Sequence, residues 1–120
     1  MKVAVPAEVK NNEFRVAITP SGVHELVAAG HQVFIQTKAG EGSAISDAEY
    51  EAEGAVICPD AASTWAAGEM VLKVKEPIEK EYGFLRDGLI LFTYLHLAAD
   101  RPLTDVLIKN NVTSIAYETV

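Results

Sequence analysis

Short apolar runs and helix-like segments alternate along the chain. The apolar runs are rich in Val, Ile and Leu and contain few polar positions, which is typical of strands buried on both faces. Helix boundaries separate them: Thr19 fits an N-cap, Pro20 the first helical position and Gly30 the C-terminal end. The pattern predicts strands at 2–9, 31–36, 55–58, 70–74, 88–95 and 112–118, and helices at 20–29, 46–54, 59–65, 79–85 and 102–110.

This order of elements predicts the fold class. Buried strands that alternate with helices indicate an α/β fold with an open, doubly wound, mainly parallel sheet covered by helices on both faces, as in Rossmann-like and flavodoxin-like proteins. The crossovers are expected to be right-handed. In such sheets ligands bind beyond the carboxyl ends of the strands, so polar residues just after a strand are the candidates for a site.

Composition removes several functional classes. The 120 residues suit one domain, and a net charge of -7 argues against nucleic acid as a partner. Cys58 is the only cysteine, so we expect neither an internal disulfide nor a cysteine zinc site. We expect the protein to reside in the reducing cytoplasm. The start MKVAVPAEVK lacks the pattern of a signal peptide, and no apolar run approaches the length of a membrane span. We therefore expect no membrane partner. No pair of histidines has metal-ligand spacing, so we also expect no metal site.

Three polar residues follow predicted strands and have complementary chemistry. Arg15 lies in the loop after the first strand, Lys75 closes the fourth and His96 follows the fifth. A guanidinium forks onto a carboxylate, an ammonium polarises a carbonyl oxygen, and an imidazole exchanges protons near neutral pH. We therefore predict that these three meet at one edge of the sheet and act on a small 2-oxo acid.

Each of the three also has a purely structural interpretation, which is the more common one for a residue taken alone. Arg15 is able to pair with Glu13 on the surface. Lys75 is able to point to solvent or to pair with Glu76. His96 is able to be a structural histidine whose ring nitrogens are hydrogen-bonded within a buried loop. Only their coincidence at one edge favours the functional interpretation.

Two further features receive structural interpretations. Lys73 shares a strand face with Lys75 by the two-residue period, and we expect its stem to pack on apolar neighbours while its head reaches water.

The stretch AGEGSAI follows a strand and holds two close glycines, but a dinucleotide fingerprint starting there has Ile45 where a small residue is needed. We expect Gly40 and Gly42 to serve a turn that needs positive φ. Because the fingerprint fails, we also expect the chain to contain no nicotinamide-binding site of its own.

Several long segments resemble one known family. KNNEFRVAITP, GEGSAI, VLKVKEP, LFTYLHLA and SIAYETV are similar, in this order, to the N-terminal part of bacterial L-alanine dehydrogenases. The resemblance covers essentially the whole chain. It implies reversible, NAD-dependent oxidative deamination of L-alanine to pyruvate and ammonium.

The resemblance also implies roles for the three candidates. Arg15 in NEFRVA matches the family arginine that binds the substrate carboxylate. Lys75 in KVKEP matches the lysine that contacts the substrate carboxylate and carbonyl. His96 in LHLA matches the catalytic acid/base histidine. The chemical argument above selected the same three residues to which the resemblance gives these roles.

The resemblance further implies how the chain is organised. Residues 1–120 are expected to be the N-terminal, substrate-binding domain, with the NAD-binding Rossmann domain downstream and absent from this chain. Alone, the domain is expected to be inactive; the whole enzyme is expected to be a homohexamer. Two alternatives stay open: a nucleotide-binding domain of the transhydrogenase type, whose members lack the lysine and the histidine, and a non-catalytic binding module.

Overall fold

A computed structural model describes residues 1–95 and 101–117. All the predicted helices and strands are present in it, with shifted ends. The strands are β1 (Lys2–Val5), β2 (Gln32–Gln36), β3 (Val56–Cys58), β4 (Met70–Lys75), β5 (Ile90–Tyr94) and β6 (Thr113–Ala116). The α-helices are α1 (Pro20–Ala28), α2 (Asp47–Ala52), α3 (Ala61–Ala67) and α4 (Arg101–Lys109), and Glu41–Ser43 and Glu79–Phe84 form 3₁₀ helices.

The six strands form one sheet in the order β3-β2-β1-β4-β5-β6, and all five neighbouring pairs are parallel. The chain therefore winds outward from β1 in one direction and from β4 in the other. This is the doubly wound order of Rossmann-type sheets, and it confirms the predicted fold class.

Local sequence signals set the ends of α1 as predicted. The Thr19 side chain accepts a hydrogen bond from the Gly22 N–H at 3.1 Å, and Pro20 occupies the first turn. At the other end Gly30 has a φ of +92°, and its N–H donates to the Val27 carbonyl at 3.0 Å. The left-handed conformation at this position favours glycine, so the glycine ends the helix.

Apolar side chains fill both faces of the sheet. On one face Trp65, which is 1% exposed, is the largest member of the core, and on the other Tyr50 is fully buried. The first core contains Ala4, Trp65, Val71, Leu85, Leu89, Leu91, Leu95, Leu103 and Leu107. The second contains Val5, Ile18, Val23, Val33, Ile35, Ala39, Tyr50 and Ala55.

The first strand is shorter than predicted. It was expected to run over 2–9, but it ends at Val5. Pro6 follows and has no N–H to donate to a neighbouring strand. The next N–H, that of Ala7, donates to the side chain of Gln36 at 2.9 Å instead of continuing the ladder. The residues after Pro6 therefore form a loop beyond the carboxyl end of β1, where side chains are available for a site.

Candidate functional site

The centre of the sheet provides the expected position for a ligand. β1 and β4 are neighbours, and the chain leaves them in opposite directions, which creates the crevice where ligands bind in open α/β sheets. Glu8 and Arg15 follow β1, Lys75 is the last residue of β4, and Tyr94 is the last residue of β5. The candidate site is therefore built from the carboxyl ends of these strands and the loop after β1.

An irregularity in β4 shapes this edge. From Leu72 to Lys75 the strand advances three residues while β5 opposite advances two, so β4 carries one extra residue, a β-bulge. The Glu8 carboxylate covers the bulge: Oε2 accepts from the Val74 N–H at 3.0 Å, and Oε1 accepts from the Lys75 N–H at 3.1 Å. The backbone of Lys75 is thus fixed by a side chain from the end of β1.

Lys73 lies inside the protein, so the prediction that its head reaches water was wrong. It is 1% exposed, and its Nζ lies 3.2 Å from Glu8 Oε1 and 3.1 Å from Glu81 Oε2. The extra residue in β4 interrupts the two-residue alternation that related Lys73 to Lys75. Two carboxylates compensate the buried ammonium, as burial of a charge requires. We call Glu8, Lys73 and Glu81 the buried charge triad.

The triad joins three elements of the fold. Glu8 follows β1, Lys73 belongs to β4, and Glu81 lies on the second 3₁₀ helix, where its carboxylate also accepts from the Ile78 N–H at 3.3 Å. Burial raises the pKa of Glu81, and the positive charge of Lys73 opposes that rise. Among the site residues, Glu8 was not selected from the sequence because it fell inside the overlong first strand. The rule that polar residues follow strands would have selected it.

Arg15 is paired with Glu13, in agreement with its structural interpretation. Its Nε and Nη2 donate to Glu13 Oε2 and Oε1, both at 3.0 Å, and its backbone N–H donates to Oε2 at 2.9 Å. The Glu13 side chain is 4% exposed, whereas that of Arg15 is 64% exposed. The hydrogen bond from Arg15 lowers the pKa of Glu13; burial opposes this, and the charge of Lys75 adds a smaller lowering.

The glycine-rich turn supports the Arg15 loop by close approach. A Cβ on Gly42 would lie 2.7 Å from the Phe14 carbonyl oxygen, and the Ser43 hydroxyl donates to the same oxygen at 2.9 Å. A Cβ on Gly40 would lie 2.7 Å from the Ile45 carbonyl oxygen. Neither glycine has positive φ, so the predicted reason for them was wrong. They are needed because a side chain would collide with a neighbouring backbone.

The same turn does not fit the pyrophosphate of a nicotinamide cofactor. A phosphate cradle needs backbone N–H groups that are free to point at the ligand. Here the N–H groups of Glu41, Ser43, Ala44 and Ile45 all donate to carbonyls within the turn or just before it, at 2.9–3.2 Å. This agrees with the failure of the dinucleotide fingerprint in the sequence.

A cavity of about 380 Å³ opens beside Arg15. Arg15, Ser43 and Tyr94 contribute polar groups to its wall. The rings of Tyr94 and Tyr117 meet there with centroids 4.9 Å apart, and Tyr94 is 40% exposed. The remaining wall is mostly apolar and includes Val16, Ile45 and Val74. An apolar hollow with one guanidinium at its side is suited to a small carboxylate.

The structure places two of the three predicted site residues. Arg15 lines the cavity, and Lys75 lies half-buried at the end of β4 with its backbone held by Glu8. The expected alternative partner of Lys75, Glu76, forms an ion pair with Lys10. His96 lies outside the described residues, and Lys75 is not among the residues that line the cavity, so the meeting of all three groups stays a prediction. Within residues 1–95 and 101–117, no cluster of His, Cys, Asp and Glu suits a metal ion, and no helix is long and apolar enough to cross a membrane.

Comparison with known proteins assigns the family. Residues 4–120 match the family model described as the alanine dehydrogenase/PNT N-terminal domain. The chain belongs to this alanine dehydrogenase/PNT N-terminal domain family. An alanine dehydrogenase from Mycobacterium tuberculosis is 61% identical over 120 residues, which are all of this chain and 32% of that protein.

Solved structures agree with this assignment. An L-alanine dehydrogenase superimposes with a TM-score of 0.96 at 51% identity, over 98% of this chain and 32% of that one. A transhydrogenase from Sinorhizobium meliloti superimposes with a TM-score of 0.91 at 28% identity, over 98% and 34% of the two chains. The chain therefore spans about a third of the length of these relatives. The resemblance to alanine dehydrogenases is confirmed, and the greater identity favours them over the transhydrogenase.

Proposed function

We propose that residues 1–120 are the N-terminal, substrate-binding domain of an NAD-dependent L-alanine dehydrogenase, which interconverts L-alanine with pyruvate and ammonium. The observation that carries this proposal is the 61% identity to an alanine dehydrogenase over the whole chain. The position of Arg15 on a small cavity beside the carboxyl ends of the central strands supports it.

In this proposal two cations hold the substrate. Arg15 binds the carboxylate of pyruvate, and Lys75 contacts both the carboxylate and the carbonyl oxygen, which it polarises. The Glu8 carboxylate fixes the backbone of Lys75, so the ammonium is presented from a rigid part of the sheet. Fixed charges at the position where charge develops are the protein's main contribution to such a reaction. His96 is proposed to transfer the proton.

NAD belongs to another part of the proposed enzyme. The N–H groups of Glu41, Ser43, Ala44 and Ile45 in the glycine-rich turn after β2 donate to nearby carbonyls, which supports a cofactor site elsewhere in the enzyme. We therefore propose that a downstream Rossmann domain holds the cofactor, and that the 120 residues alone are inactive. We also infer from the family that the enzyme is a cytoplasmic homohexamer. Sedimentation of the full-length protein checks the hexamer.

The test uses the full-length protein. Lys75→Ala and His96→Ala are each expected to remove most of the turnover of pyruvate with ammonium and NADH, while NADH binding stays nearly unchanged. The exposed Lys80 provides the control, Lys80→Ala, which is expected to keep wild-type turnover. Wild-type turnover in either site variant would refute the assigned role. Formation of NADH from alanine and NAD separates this function from a transhydrogenase, which would not produce it.

A further inference from the structure

The pairing of Arg15 with Glu13 uses only one side of the guanidinium. A guanidinium has two edges that are each able to fork onto a carboxylate: one formed by Nε and one Nη, and one formed by the two Nη atoms. Glu13 occupies the first edge, with both bonds at 3.0 Å. Among the described residues, no acceptor is hydrogen-bonded to Arg15 Nη1. The second edge is therefore available for a ligand, and Arg15 lines the cavity.

Glu13 is held firmly enough to orient Arg15. Its side chain is 4% exposed, and its Oε2 also accepts the backbone N–H of Arg15 at 2.9 Å. Its own N–H donates to the Lys10 carbonyl at 3.2 Å, which closes the turn before it. The next residue, Phe14, has its carbonyl bound by the Ser43 hydroxyl. The carboxylate thus sits on a backbone fixed on both sides, whereas Arg15 is a long side chain that is 64% exposed.

We propose that Glu13 is a positioning residue for the substrate. It forms hydrogen bonds with the Nε edge of Arg15 and thereby orients the Nη edge toward the carboxylate of a small 2-oxo acid in the cavity. This rests on the proposed function, which makes Arg15 the carboxylate ligand. An arginine left without Glu13 would sample many rotamers, and binding would have to order it at an entropic cost. Glu13 removes that cost before the substrate arrives.

A competing interpretation makes the opposite prediction. If Glu13 were an internal competitor that the substrate must displace, its removal would tighten substrate binding. The geometry disfavours this, because a carboxylate on the Nη edge would use Nη1 and the second hydrogen of Nη2, whereas Glu13 uses Nε and the first hydrogen of Nη2. The sign of the change in KM separates the two.

The experiment measures pyruvate kinetics in the full-length protein with Glu13→Gln, Glu41→Gln and Arg15→Ala. A Gln at position 13 is able to accept at one atom only, and its NH₂ group faces a donor. We expect the KM for pyruvate to rise about tenfold, the effect of losing one charge-assisted hydrogen bond. We expect kcat to stay within about twofold and NADH affinity to stay unchanged, which a general loss of structure would not produce. Glu41 is an exposed carboxylate on the adjacent turn, so Glu41→Gln controls for removal of a nearby charge.

Arg15→Ala separates failure of this inference from failure of the proposed function. An unchanged pyruvate KM in Arg15→Ala would overturn the role of Arg15 itself. A raised KM in Arg15→Ala with an unchanged or lowered KM in Glu13→Gln would overturn only the role of Glu13. If Glu13→Gln does not fold, Glu13→Asp replaces it. Asp keeps the charge but shortens the reach, so we expect a smaller rise confined to KM, and an unchanged KM there would equally overturn the inference.

Discussion

Lys73 places its ammonium 3.2 Å from the Glu8 carboxylate although the two residues are 65 positions apart in the chain. The pair joins the end of β1 to the bulge of β4, the two strands between which the ligand crevice opens. The same carboxylate accepts the Lys75 N–H. The geometry of the candidate site therefore depends on a charge pair whose side chains are almost completely buried.

Replacement of Lys73 by Met is expected to destabilise the fold strongly. Methionine fills a similar volume, but it leaves Glu8 and Glu81 buried without their shared counter-ion. Removal of one partner from a buried ion pair costs about 3–5 kcal/mol. We expect a loss in this range in the free energy of unfolding at neutral pH, measured by urea denaturation of the 120-residue chain.

The exposed Lys80 supplies the matched control. Lys80→Met removes the same charge from the surface, and such substitutions usually change stability by less than about 0.5 kcal/mol. Similar losses in Lys73→Met and Lys80→Met would show that the triad does not stabilise the fold.

Glu81 gives the triad a defined pH dependence. Burial raises the pKa of Glu81 in the folded protein, against the lowering by Lys73 and by the Ile78 N–H, while the nearby Glu8 charge raises it further. The folded state thus holds the proton more tightly than the unfolded chain. The stability that this group contributes is complete below its ordinary pKa and is lost as the pH rises through the raised, folded-state pKa.

We therefore expect the stability of the wild type relative to Glu81→Gln to fall as the pH rises from the ordinary glutamate pKa through the raised pKa of Glu81. Urea denaturation at several pH values measures this difference. Glu79 is exposed on the same 3₁₀ helix, so Glu79→Gln is the control for removal of a carboxylate from that helix. A difference that grows with pH would mean that Lys73 outweighs burial at Glu81.

The sequence was sufficient for the order and type of the elements because these depend on local patterns. Thr19 and Gly30 marked the ends of α1 by capping and by left-handed backbone, both of which are properties of single residues. Parallel pairing followed from strands that are apolar on both faces.

The details of the site depend on contacts between distant segments, which no local pattern encodes. The bulge in β4 exists only relative to β5, so the two-residue period misplaced Lys73. The role of Gly42 is set by the backbone of Phe14, which lies in a different loop and leaves no room for a side chain at position 42. Arg15 was selected for its chemistry and its position after β1, but its pairing with both oxygens of Glu13 became visible only in the coordinates.

Gly42 offers the sharpest test of how the glycine-rich turn supports the Arg15 loop. An alanine Cβ there would lie 2.7 Å from the Phe14 carbonyl oxygen, closer than real contacts allow, so the turn or the loop must move. We expect Gly42→Ala to cost about 1–3 kcal/mol in the free energy of unfolding, the range for overpacking. In the full-length protein we also expect a higher pyruvate KM, because Phe14 lies between Glu13 and Arg15.

Gly83 is the matched control: its Cβ would meet nothing within 4 Å and its φ is not positive. Gly83→Ala is therefore expected to be neutral or to stabilise by up to about 1 kcal/mol through the unfolded chain. Equal stabilities of Gly42→Ala and Gly83→Ala would show that the close approach does not constrain the loop.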